Sequence, residues 1–211
     1  MKKIIIGILG LGLMGGLFAS NQYGSVRGAF YGPGDSQSGI MLGATKGTYI
    51  DERVELFGSA DFFFKSYTED KKINITTTPG GNEIATIKRS ADISTYYLPL
   101  MGNLRVKFPY TEKLSPYVGA GLGWAMAWED VFIAADSTTE KIDDVNFFNG
   151  FGANANIGVL LPLGSKSDVY FETFYNWSNC KRNKKETDAG IFWDELSMSG
   201  IGIRMGLGFK F

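Results

Sequence analysis

The chain contains no histidine and a single cysteine, Cys180, and these two counts narrow the chemistry open to it. A serine hydroxyl attacks only when a neighbouring base takes its proton. Without imidazole that base would have to be a lysine, and no serine and lysine stand out as a pair. Histidine ligation of a metal is excluded, and one thiol makes neither a thiolate metal site nor an internal disulfide. Asp143 and Asp144 with Asp136 offer carboxylates to a hard cation such as calcium, although a solvated acidic loop is the plainer reading. Lys181-Arg182-Asn183-Lys184-Lys185 offers cations to phosphate; its plainer reading is a soluble loop balanced by Glu186 and Asp188. No enzyme, metal or cofactor is expected.

The charges that invite a structural explanation are Arg27, Glu55, Asp61, Arg105, Glu172 and Arg204. Each sits in a run that alternates with period two, and each falls on the face that carries the small residues. Such a period is that of a β-strand with two unlike faces. The clearest case is Ser199 to Phe211. There Ile201, Ile203, Met205, Leu207, Phe209 and Phe211 alternate with Gly200, Gly202, Arg204, Gly206, Gly208 and Lys210. An apolar strand of this length left at a sheet edge would aggregate. A closed barrel in a membrane avoids that, since lipid takes the apolar face and the lumen takes glycine and charge.

The other strands follow the same rule. Val54, Leu56, Gly58, Ala60, Phe62 and Phe64 oppose Glu55, Phe57, Ser59, Asp61, Phe63 and Lys65. Tyr96 to Phe108 and Tyr117 to Trp128 alternate likewise, as do Phe147 to Leu161 and Val169 to Trp177. Tyr23 to Gly32 forms a first strand, closed by Pro33-Gly34-Asp35-Ser36. Gly39 to Ile50 forms a second whose orientation stays open, because facing Ile40, Leu42 and Ala44 to lipid puts Lys46 there too. Pro99 counts against its own strand, except at an edge or bulge. Lys72-Ile73-Asn74-Ile75-Thr76 and Glu83-Ile84-Ala85-Thr86-Ile87 flank Pro79-Gly80-Gly81-Asn82, a hairpin signal that predicts a ribbon protruding into solvent. The count is about eight strands, with short turns at 51–53, 109–115 and 162–168 and longer connections between them. Phe108, Tyr117, Trp128, Trp177 and Phe211 lie near strand ends, where the aromatic girdles of a membrane barrel would be. A soluble barrel with the aromatic face inside is the alternative. Rows such as Gly119, Gly121 and Gly123 make a poor solvent surface but suit a narrow lumen.

Composition agrees with an exported wall protein. Met1-Lys2-Lys3, the apolar run Ile4 to Phe18 and then Ala19-Ser20 read as a cleavable signal peptide over 1–20. The run falls short of the ~20 residues of a spanning helix. No later stretch is long and apolar enough to span, so residues 21–211 would form one barrel domain. Net charge is −1, and −3 without Lys2 and Lys3, which excludes a basic nucleic-acid surface. Glycine makes up 28 of 211 residues, nearly double the usual ~7%, and the excess is expected in turns and a crowded interior. Eight strands leave an interior that side chains can fill, so a structural or surface role precedes a conduit.

Leu98-Pro99-Leu100-Met101-Gly102-Asn103-Leu104-Arg105-Val106-Lys107-Phe108 and Pro116-Tyr117-Val118-Gly119-Ala120-Gly121-Leu122-Gly123, with the terminal Phe-ending strand, resemble the small outer-membrane β-barrels of the OmpA, OmpX and OmpW type. Val26-Arg27-Gly28-Ala29 with Pro33 resembles the opening of OmpW-like chains. The resemblance implies an all-β, eight-stranded antiparallel up-and-down transmembrane barrel in the cell outer membrane. It implies Phe209 and Phe211 as an assembly signal read by the barrel-assembly machinery. Membrane lipid is the expected partner, with lipopolysaccharide a further candidate, and the protein is expected to be a monomer. Enzymes of this class generally use a histidine base, which this chain lacks. An OmpW-like conduit for small apolar molecules is the alternative function.

Overall fold

The computed structural model describes residues 22–76, 84–108, 110–111, 113–133, 142–183 and 193–210, with the backbone alone at 69–91, 133, 142–144, 183 and 193. The expected signal peptide, the tip Pro79–Asn82, the loop lysines Lys184 and Lys185 and the terminal Phe211 lie outside the described residues. The strands are β1 (Gln22–Pro33), β2 (Gly39–Tyr49), β3 (Val54–Thr76), β4 (Ile84–Lys107), β5 (Ser115–Ile133), β6 (Ile142–Pro162), β7 (Ser167–Asn183), β8 (Trp193–Ser197) and β9 (Gly200–Lys210). Each pairs antiparallel with its neighbour, and β9 returns to pair with β1 from Tyr23↔Lys210 to Pro33↔Gly200. The sheet therefore closes on itself and has no open edge around its girth.

Nine labels make eight barrel strands. β8 and β9 both pair with β7, from Asn183↔Trp193 to Asn179↔Ser197 and from Asn176↔Gly200 to Ser167↔Phe209, in one unbroken register. The Met198 amide donates to the Ser178 carbonyl at 2.8 Å across the gap, so the ladder continues through it. Pro99 sits within β4 without shifting register. Its ring lacks an N–H, and the β3–β4 ladder skips only the pairs at Asp61 and Phe62.

The turns at one end are short. Asp51 Oδ1 accepts from the amides of Arg53 (2.6 Å) and Val54 (2.8 Å), an Asx turn that reverses the chain between β2 and β3. Between β6 and β7 the reversal uses Gly164 at φ 132°, a conformation open to glycine and costly for other residues. At the opposite end the strands are unequal. β3 and β4 run for 23 and 24 residues and β5 and β6 for 19 and 21, against 12 and 11 in β1 and β2. The β3–β4 pairing continues to Thr76↔Ile84, so the predicted ribbon exists as paired backbone. Among the described residues, β3 beyond Phe64 has no partner strand on the β2 side.

The faces divide as the alternation requires. Val26, Phe30, Leu122, Phe151, Ile201 and Ile203 point outward and are exposed, while Tyr31, Phe63, Tyr97, Tyr117 and Tyr170 fill the interior and are at most 1% exposed. The open question of β2 is answered by burial: Ile40 and Leu42 are exposed outside, Met41 and Thr45 are buried inside, and Lys46 shares the outer face.

Candidate functional site

The interior has two tiers. Toward the long-loop end, Tyr31, Met41, Phe63, Tyr97, Phe148, Phe174, Leu196 and Met198 form a buried apolar cluster. Tyr31 stacks on Tyr97 and Phe174, with ring centroids 6.2 and 5.6 Å away, and meets Phe63 edge-on at 5.6 Å. Its hydroxyl donates to the Met198 carbonyl. Toward the short-turn end the lumen is ionic.

All six charges named from the sequence are buried in that lower tier, and seven form a chain of alternating sign. Arg27 grips Asp61 with two parallel hydrogen bonds, Nε to Oδ1 at 2.7 Å and Nη2 to Oδ2 at 2.5 Å, the bidentate fork that suits a guanidinium. Arg204 Nη1 lies 3.7 Å from the same Asp61 carboxylate, and Arg204 Nε donates to Glu172 Oε1. Glu172 Oε2 then faces Arg105 Nη2 at 3.9 Å. Arg105 Nη1 donates to Glu55 Oε2 at 3.1 Å, and Lys107 Nζ ends the chain 3.0 Å from Glu55 Oε1. Burying a lone charge is costly; here each charge has an opposite neighbour. Tyr117 adds a hydrogen bond to Glu172 Oε2 at 2.8 Å. The Arg105 guanidinium lies against three rings, Tyr117 at 4.4 Å, Phe57 at 4.9 Å and Tyr170 at 5.1 Å, a favourable desolvated cation–π setting.

The glycines of β5 and β6 make room for polar side chains rather than for a void. A Cβ on Gly121 would strike Asn103 Oδ1, and one on Gly119 would come within 2.5 Å of Asn156 Oδ1. Asn103 donates to Ser59 Oγ at 3.0 Å and accepts from Asn154 Nδ2 at 3.0 Å. The Oδ1 atoms of Asn154 and Asn156 and both carboxylate oxygens of Asp168 are buried without a hydrogen-bond partner in the protein.

The expected pair Glu172–Arg204 is present, and the two residues are directly opposite in the β7–β9 register. The pair Arg105–Asp61 is not formed. Arg105 faces Glu55 in the β3–β4 register, and Asp61 lies six residues farther along β3, roughly 20 Å at ~3.3 Å per residue. Tyr117 is not an interface aromatic: it shares the inward parity of Gly119 and Gly121 and is 1% exposed. Phe108, Trp177 and Phe209 do point outward, and Trp128 packs on Phe147 on the outer face at 5.4 Å. Cys180 is a buried strand residue on the apolar cluster, not a loop thiol, because β7 continues to Asn183. The cations Lys181 and Arg182 meet Glu195 and Asp194 of β8, each at 2.7 Å. Lys107 and Asp168 were missed as lumen charges. Both lie on the inward face at strand ends that resemble turns in the sequence. Among the described residues no group of carboxylate or thiol side chains could hold a metal ion.

No protein-family model and no curated protein matches the sequence. Solved structures do match in fold. Neisserial surface protein A aligns at TM-score 0.54 and 15% identity, over 90% of this chain and 97% of that one. The outer-membrane protein OprG of Pseudomonas aeruginosa aligns at 0.56 and 16%, over 92% and 96%. Ail, the attachment invasion locus protein of Yersinia pestis, solved with the heparin analogue sucrose octasulfate, aligns at 0.52 and 9%, over 92% and 100%. By fold, the chain is a closed eight-stranded antiparallel up-and-down barrel of the kind these outer-membrane proteins share.

Proposed function

We propose that this is an integral outer-membrane barrel with a closed lumen that holds an interaction surface outside the cell. Residues 1–20 act as the export signal in this reading. Phe209 and the terminal Phe211 are read by the assembly machinery, and Phe108, Trp128 and Trp177 sit at the lipid interfaces. One observation carries the reading. The interior is filled from one end to the other by ion pairs and stacked rings, while β3 to β6 extend well past β1 and β2 at the long-loop end. A filled core suits an anchor, and the raised strands suit display. An exposed sheet margin offers backbone donors and acceptors to a partner. Nothing in the described interior arranges a nucleophile with a base, so the role is non-catalytic.

A conduit is the second reading, favoured by the partnerless oxygens of Asn154, Asn156 and Asp168, which water would satisfy. Topology is tested with single cysteines and a membrane-impermeant maleimide on intact cells. Thr68→Cys, exposed on β3, is expected to label at once. Arg53→Cys, exposed in the β2–β3 turn, is expected to label only after the outer membrane is permeabilised. Labelling of Arg53→Cys but not Thr68→Cys on intact cells would contradict the orientation.

A further inference from the structure

Lys46 plays no part in either the lumen or the display surface. Among the described residues of the outer wall, it is the one charge between the short turns and the row Ile40, Phe64, Tyr96, Trp128 and Phe147. It faces outward between Gly24 of β1 and Gly58 of β3. Ala44, Ala60 and Gly102 continue the small residues, so the wall beside it is a shallow furrow. A Cβ added at Gly102 would meet nothing closer than 3.8 Å. Thr48 lies on the same face two residues on, and Gln22 stands opposite Thr48 on β1. An ammonium, a hydroxyl and an amide are thus gathered at one place near the short-turn end.

The depth suits a headgroup. Lys46 is three residues from the end of β2 at Tyr49, ~10 Å along the strand and less along the axis of a tilted barrel. A lysine stem can lie along the apolar wall and hold its ammonium at the interface. We propose that Lys46, with Thr48 and Gln22, holds the phosphate of an anionic phospholipid in the leaflet at the short-turn end, with the acyl chains along the furrow over Gly58 and Gly102. Charge complementarity selects this occupant: a phosphodiester brings an anion and acceptor oxygens to the depth where three donors converge. The site rests on the membrane reading above.

The test uses the barrel refolded into phosphatidylcholine bilayers containing phosphatidylglycerol, with folding checked by heat-modifiable migration. Spin-labelled phosphatidylglycerol and phosphatidylcholine report selectivity by electron paramagnetic resonance. Wild type is expected to prefer phosphatidylglycerol, Lys46→Gln to lose about fivefold of that preference, and Lys46→Arg to keep it. Lys181→Gln, at the opposite end, is expected to keep it too. An unchanged preference in Lys46→Gln, or an equal loss in Lys181→Gln, overturns the site and leaves the membrane reading standing. Failure of wild type to insert overturns both. Cross-linking of two barrels through Lys46, with no lipid preference, replaces the lipid with a second copy and overturns the proposal.

Discussion

The two tiers of the lumen fill the same cross-section with opposite chemistry. Around Tyr31 the barrel is packed like a hydrophobic core, with rings and sulfur in contact on all sides. Around Glu172 it is packed with charge, and stability depends on every member finding its neighbour. Apolar packing degrades gradually, because losing a few atoms opens a small cavity. An alternating chain of buried charges degrades abruptly, because removing one member strands those on either side. The difference teaches that one barrel can be plugged in two ways, and only the ionic way leaves a built-in line of weakness.

The comparison is broken most severely at Glu172. Its carboxylate touches Arg204, Arg105 and Tyr117, so Glu172→Gln is expected to lower unfolding stability by roughly 3–5 kcal/mol if the tier is dry. Urea titration in a lipid or detergent host measures this. A loss within about 0–1 kcal/mol would mean a hydrated pair instead. The upper tier should respond less. Phe63→Leu, which removes part of one ring contact of Tyr31, is expected to cost about 1–2 kcal/mol by the same titration. A loss as large as that of Glu172→Gln would erase the distinction between the tiers. The smallest effect is expected outside the lumen altogether. Replacing Lys72–Lys88 by a short glycine-containing turn should leave a heat-modifiable barrel, since β3 and β4 pair with their other neighbours well below that segment. Loss of folding would show that the ribbon supports the wall.

Period-two alternation revealed most of this fold because in a barrel it is the same physical fact as inside and outside. It placed Arg27, Glu55, Asp61, Arg105, Glu172 and Arg204 on one face without any knowledge of the closure. It did not supply height. That β7 and the last strand are neighbours was enough for Glu172–Arg204, which happen to stand level. The same reasoning failed for Arg105–Asp61, because register between β3 and β4 decides which residues are level, and Arg105 stands opposite Glu55. Tyr117 was misplaced for a related reason. Aromatic residues at strand ends attract an interfacial reading, but parity with Gly119 sends this ring inward to Glu172. Cys180, Lys107 and Asp168 lie where strands run on through polar sequence, and hydropathy alone does not mark a strand there.

The central claim is that ion pairs and rings close the lumen, and conductance tests it most directly. Wild-type barrel refolded into planar bilayers is expected to show no discrete current steps, in low or high salt. Regular single-channel steps in the wild type would contradict a closed lumen and move the conduit reading to the front.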